Sequence, residues 1–177
     1  MPFVFLLGGA RSGKSAMAER LAIESGDSVI FIATGEAGDA EMAERIGRHR
    51  DDRPAAWQTV EAPIELLAAV RSTSRGDFLI VDCLTLWVAN LLESGKNAAD
   101  IGAAAQDVAG ELSRRRGAVV SNEVGLGIVP ANELARAFRD VLGAVNATFA
   151  AAAERAVLMV AGRALELGAT DTITRRD

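Results

Sequence analysis

Short, wholly apolar runs alternate along this chain with longer stretches whose apolar residues recur at helical spacing. Residues 3–7 (FVFLL), 28–33 (SVIFIA), 78–81 (FLIV) and 118–121 (AVVS) have the length and the β-branched and aromatic content of strands. Residues 155–161 contain the last strand, with VLMV at its core, and 57–61 form a shorter one. Between them, 15–25, 39–52, 63–72, 84–92, 98–116 and 132–153 read as helices. The helix over 39–52 opens on an acidic cap, Asp39. The helix over 63–72 opens on a proline, Pro63. Strands without polar alternation are buried on both faces, so the expected fold is α/β: a mainly parallel twisted sheet with helices on both sides. Crossovers should be right-handed. Ligands of such sheets bind outside the carboxyl ends of the strands. The loops after Leu7, Ala33, Val81 and Ser121 are therefore expected around one site.

At 177 residues the chain reads as one domain, 1–177, with a variable tail over 168–177. No repeat or low-complexity linker divides it. Net charge is −5, which argues against a nucleic-acid partner, because phosphate backbones select basic surfaces. A single phosphate-bearing ligand needs only a few local cations and is not excluded. The lone cysteine, Cys83, can form no internal disulfide. The N-terminal apolar stretch is too short for a signal peptide, and no run reaches the ~20 residues of a spanning helix. These features point to the cytoplasm and to no membrane span.

The first strand runs into Gly8, Gly9, Ala10, Arg11, Ser12, Gly13, Lys14 and Ser15. This matches G-x-x-x-x-G-K-[ST] at every fixed position, in the strand-then-helix context that gives the motif its meaning. The glycines let the backbone curl so that its N–H groups cradle phosphate oxygens, and the following helix adds its positive end. Lys14 would reach the β- and γ-phosphates, and Ser15 would offer a hydroxyl to Mg²⁺. Asp82 ends an apolar strand, as the acid on the Mg²⁺ side of a P-loop does. It also suits the N-cap of the next helix, and the two readings are compatible. Cys83 reads as a small buried residue rather than a nucleophile. Neither the N-K-x-D of GTPase switches nor the L-S-G-G-Q of transport ATPases is present. The residues themselves therefore support a P-loop enzyme that uses ATP or GTP, with no acceptor named. A small-molecule kinase of any pathway and a nucleotide-binding regulatory protein both remain open at this level.

More of the chain carries detail. GGARSGKS is followed by FIATGEAGDAEMAERIGRHRDDRPAAWQTVEAP, then by LIVDCLTLWVANLL, then by a segment opening VVSNEVGLGIVPANELARAFRD. In these runs the sequence resembles the bifunctional adenosylcobinamide kinase / adenosylcobinamide-phosphate guanylyltransferase family, from Phe3 to about Leu167. The resemblance implies a P-loop α/β domain assembled as a homotrimer. It implies phosphorylation of adenosylcobinamide by ATP or GTP, then transfer of GMP from GTP through a histidine phosphoramidate to give adenosylcobinamide-GDP in cobalamin biosynthesis. It also implies that Thr34, Gly35, Arg50, Asp51, Asp52, Arg53 and Glu61 contact the guanine nucleotide. Glu61 would accept from ribose hydroxyls or a base edge; as a plain residue it equally suits an exposed strand end. Asn122 to Gly127 would shape the corrinoid side of the cleft, or be an ordinary strand–helix loop.

His49 is the chain's one histidine. The resemblance implies that the phosphoramidate forms there. A neutral imidazole is nucleophilic near pH 7. On a helix Arg45 and Arg53 would lie four residues to either side, where guanidiniums can hold phosphate oxygens; helicity ends near Pro54, so Arg53 falls at that helix's limit. Met42, Ile46 and His49 also share one stripe, and a histidine on an apolar stripe suits a core position just as well. Trp57 and Trp87 read as core or interface residues.

Overall fold

A computed structural model describes residues 2–36, 47 and 53–169. The order along the chain is β1 (Phe3–Gly8), α1 (Lys14–Ser25), β2 (Val29–Ala33), β3 (Gln58–Glu61), α2 (Leu66–Ser72), β4 (Phe78–Asp82), α3 (Leu84–Glu93), α4 (Ala98–Leu112), β5 (Gly117–Asn122), α5 (Glu133–Ala152), β6 (Arg155–Val160) and β7 (Arg163–Leu167). The helix expected over 39–52 lies outside the described residues, apart from Gly47. The seven strands form one sheet in the order β3-β2-β4-β5-β1-β6-β7. Every pairing is parallel except the last, β6 with β7.

Alternation along each strand divides the core in two. Phe3 and Phe5 of β1, Ile30 and Ile32 of β2, and Leu79 and Val81 of β4 face a cluster built with α2, α3, α4 and α5. Leu6, Phe31, Ile80 and Val120 face the other side, where Ala18 and Ala22 of α1 cover them. Small residues on α1 let the helix that follows the glycine-rich turn lie close to the sheet. Phe149 of α5 packs edge-on to Phe3, with centroids 6.3 Å apart. Trp87 is buried, and its indole N–H donates to the Ile64 carbonyl. Trp57 is partly buried against the α1 side.

Two helix boundaries and one strand differ most from expectation. Helix α2 begins at Leu66, not at Pro63, because the carbonyls ahead of it are used elsewhere. The Pro63 carbonyl accepts from Asn90 Nδ2, and that of Ile64 accepts from the Trp87 indole and the Leu66 N–H. Helix α4 stops at Leu112 rather than running to Arg116. The chain turns there so that Arg115, 2% exposed, can send its guanidinium to the Val70 and Ser74 carbonyls and the Thr73 hydroxyl, which closes the end of α2. Strand β7 was not expected at all. Ala161 and Gly162 both have positive φ, 50° and 74°, which makes the two-residue turn that a right-twisted hairpin favours. All five residues of β7 are exposed, and the hairpin carries a bidentate pair from Arg155 to Glu166.

Candidate nucleotide site at the carboxyl edge of the sheet

The carboxyl ends of β1, β4 and β5 lie side by side, because β5 pairs with both β1 and β4. Gly8, at the end of β1, has φ 154°, and a Cβ there would run into the Met159 carbonyl of β6. Only glycine lets β1 turn at that point. The chain then passes Gly9, Ala10, Arg11 (φ 55°) and Ser12 to Gly13, which caps α1 in the left-handed region. Gly13 has no side chain to spend on the first-turn N–H groups. An anion can therefore bind to them, with the helix dipole behind them. The other long helices differ: Asn97 caps α4 and Asn132 caps α5 through their side chains.

Lys14 is the first residue of α1 and is buried. Its Nζ donates to the Gly8 carbonyl at 2.9 Å, to the Gly9 carbonyl at 2.7 Å and to Ser12 Oγ at 3.4 Å. The cation is thus held inside the loop it serves. Ser15 Oγ donates to Asp82 Oδ2 at 3.0 Å, which joins the start of α1 to the end of β4. Two oxygens at that separation fit adjacent positions on an octahedral ion with bonds of about 2.1 Å, the geometry and ligand chemistry Mg²⁺ demands. Ser15 and Asp82 therefore suit the metal as a pair. Among the described residues no group of three or more His, Cys, Asp and Glu forms a separate metal site.

Beyond Asp82 the edge is tied together by backbone. The Asp82–Cys83 peptide is cis. Thr34, fully buried after β2, donates through Oγ1 to the Cys83 carbonyl and accepts from the Cys83 N–H. Its own N–H donates to the Asp82 carbonyl, and its carbonyl accepts from Asn90 Nδ2. Thr34 therefore fixes the β2 and β4 ends relative to each other. Cys83 is partly buried. Burial, and then the Asp82 carboxylate, push its thiol above the ordinary value, which suits a packing residue and not a nucleophile.

At the far end of the sheet, Glu61 pairs in register with Ala33 and is exposed. It lies four strand spacings, or roughly 19 Å, from β1. It borders a shallow cavity of about 380 Å³ lined with Val60, Pro63, Ile64 and Ala68. Arg53 stacks its guanidinium 3.5 Å from the Phe31 ring centre and donates to Thr59 Oγ1. Gly35 follows Thr34 at the end of β2. His49, Arg50, Asp51 and Asp52 lie outside the described residues. The structure thus brings Lys14, Ser15 and Asp82 together at one end of the edge and places Arg53 and Glu61 at the other.

Sequence reasoning missed the contact that braces the P-loop from behind. The Gly162 N–H, in the β6–β7 turn, donates to the Ser12 carbonyl at 3.0 Å. A Cβ on Gly13 would touch Gly162 Cα at 3.4 Å. The Ala-Gly pair in the sequence is a weak turn signal, and nothing in it points back across some 150 residues.

A strand, a G-x-x-x-x-G-K-S loop closed around its lysine, a helix and a strand-end acid on the serine define a P-loop nucleotide-binding α/β protein. The backbone resembles the crystal structure of the flagellar accessory protein FlaH from Methanocaldococcus jannaschii, with TM-score 0.50 over 94% of this chain and 77% of that one. At 16% identity that likeness speaks for the fold alone. The chain belongs to the cobinamide kinase / cobinamide phosphate guanyltransferase family, whose model matches residues 4–167. The bifunctional adenosylcobalamin biosynthesis protein CobP of Pseudomonas aeruginosa is 48% identical over 92% of this chain and 95% of its own length. The bifunctional adenosylcobalamin biosynthesis protein CobU of Salmonella typhimurium is 40% identical over 90% of this chain and 96% of its own length. No helix among the described residues is long and apolar enough to cross a membrane.

Proposed function

We propose that this protein phosphorylates the hydroxyl of the aminopropanol arm of adenosylcobinamide with ATP or GTP. It then transfers GMP from GTP to that phosphate through a guanylyl-His49 intermediate. The observation that carries the kinase half is the convergence of Lys14, Ser15 and Asp82 at the mouth of the P-loop. The family supplies the acceptor.

In the first step the acceptor hydroxyl attacks the γ-phosphorus and releases its proton to solvent, the γ–β bridge breaks, and the nucleoside diphosphate leaves. No protein nucleophile is required. The N–H groups of Gly8 to Ser15 hold the phosphate chain in line. Lys14 exchanges its carbonyl partners for β- and γ-oxygens and balances the charge that moves onto the leaving group. Ser15 and Asp82 would hold Mg²⁺, which when bound would supply Lewis-acid polarisation.

In the second step an imidazole nitrogen of His49 attacks the α-phosphorus of GTP. A phosphorus–nitrogen bond forms, and pyrophosphate departs. The new phosphate on the acceptor then takes the GMP and frees the imidazole. Gly35, Arg50, Asp51, Asp52, Arg53 and Glu61 hold the guanine nucleotide, and Thr34 contributes by setting the strand ends beneath it. The chain works in the cytoplasm as a homotrimer without nucleic acid. The uncovered β7 edge, with Leu165 and Leu167 exposed, supplies a surface for subunit contact.

His49→Ala tests the reading. With α-labelled GTP the native protein should hold an acid-labile, alkali-stable label, as a phosphorus–nitrogen bond is. The variant should hold none and form no GDP-linked product, yet still phosphorylate adenosylcobinamide. Label retained on the variant, or undiminished product, sinks the histidine intermediate.

A further inference from the structure

The segment after β5 reads Val-Gly-Leu-Gly-Ile-Val-Pro over residues 124–130, without a charge. Leu126 is 84% exposed and Ile128 98%; Val124, Val129 and Leu134 are exposed as well. Large aliphatic side chains grouped on a surface in this way mark a binding surface.

The loop is anchored at both ends. At its start the Glu123 N–H donates to the Gly8 carbonyl at 3.1 Å, and Asn146 Nδ2 holds the Asn122 carbonyl. The Gly125 N–H donates to Glu123 Oε1. At its end Arg136 donates to the Pro130 and Ala131 carbonyls. The backbone is therefore fixed while its aliphatic side chains face water. The carbonyl that receives Glu123 also receives Lys14 Nζ, so the apolar loop and the phosphate-binding cation share one atom as neighbour.

We propose that Val124, Leu126, Ile128, Val129 and Leu134 form the seat for the apolar flank of the acceptor's corrin ring. This rests on the function proposed above. The kinase step needs the acceptor hydroxyl at the γ-phosphate, beside Lys14. The hydroxyl ends a short arm, so the broad, methyl-bearing macrocycle must lie against whatever surface adjoins the P-loop. Two apolar surfaces are hydrogen-bonded to the P-loop, this loop at the Gly8 carbonyl and the β6–β7 hairpin at the Ser12 carbonyl; of these two acceptors, the Gly8 carbonyl is the one that also holds Lys14 Nζ. That position favours the acceptor over a second copy of the chain. The loop acts on acceptor binding alone, because its contacts with the macrocycle do not change as the phosphoryl group moves.

Leu126→Ser and Ile128→Ser, singly and together, test this. Both residues are exposed, so the fold should survive. Each change should raise the KM for adenosylcobinamide about tenfold, as expected for losing one buried aliphatic contact. The KM for ATP, the extrapolated kcat and GMP labelling of the protein should stay native, and Leu126→Met should keep near-native acceptor binding. An unchanged acceptor KM in the double variant overturns the proposal. So does a fall in sedimenting mass that accounts for the loss of activity, which would show the loop covered by another copy. A native protein that does not phosphorylate adenosylcobinamide at all would sink the underlying functional reading as well; an active native protein with unaffected variants sinks the seat alone.

Discussion

At the β1 end of the carboxyl edge Lys14 is buried and bonded to its own loop, Ser15 is bonded to Asp82, and Gly162 braces Ser12 from behind. At the β3 end, four strands away, Glu61 stands exposed on the outermost strand and Arg53 lies flat on Phe31. The first region is organised before any nucleotide arrives, and its chemistry is blind to the base. The second holds Arg53 and Glu61, the groups proposed for the guanine nucleotide, at the outer edge of the sheet. A chain that runs two transfers can share the β1 end between them and use the β3 end for the guanine-specific one alone. Substitutions should reveal that division.

The largest effect should come from Lys14→Ala. Both the kinase and the guanylyl step should fall on the order of 10²–10³-fold, as when one preorganised donor to a developing charge is removed. Thermal unfolding should be close to native. Loss of one activity alone would mean that the P-loop does not serve both steps.

Asp82→Asn should lower turnover about 10–100-fold in the kinase step, with nucleotide affinity little changed, because its proposed task is to organise the metal. Titration with Mg²⁺ should recover part of the loss. Native turnover at every Mg²⁺ concentration would reduce Asp82 to a structural partner of Ser15.

Glu61→Gln should raise the KM for GTP in the guanylyl step about tenfold, the cost of losing one charge-assisted hydrogen bond. ATP-driven phosphorylation should stay native. Equal damage to both activities would erase the contrast between the ends.

The smallest effect concerns Cys83. Its thiol pKa is raised, so the folded chain keeps the proton as pH rises past the ordinary thiol value. Whatever stability this protonated, packed thiol contributes is present below the unfolded-state pKa and is lost as pH climbs through the higher folded one. Alkylation at pH 8 should therefore be at least about tenfold slower in the native protein than in denaturant. Equal rates would show the thiol to be open to solvent.

The β1 end was legible in the sequence because its chemistry is local. Eight consecutive residues specify the P-loop, and an apolar strand ending in Asp82 announces itself. The bracing of that end was not legible. Gly162 reaches Ser12 only once β6 has paired with β1, and β7 is five residues long with its two leucines exposed, too short a pattern to mark a strand. Arg115 carries no local signal of burial, because its burial depends on carbonyls at the end of a different helix. The start of α2 shows the same limit. Pro63 is a sound local signal, overruled by Trp87 and Asn90 taking the carbonyls that the helix would have used.

The place of β1 in the sheet has a consequence for how the protein is made. Its neighbours on either side are β5 and β6, whose residues are more than a hundred positions further along the chain. At ordinary synthesis rates of 5–20 residues per second, the segment carrying Lys14 waits roughly 7–30 s before Gly162 leaves the ribosome. Until β5 has emerged the future phosphate cradle has no sheet to spring from, and until Gly162 has emerged it has no turn behind it. A nascent chain arrested before residue 155 should hold no nucleotide, although every residue of the motif has long since been translated.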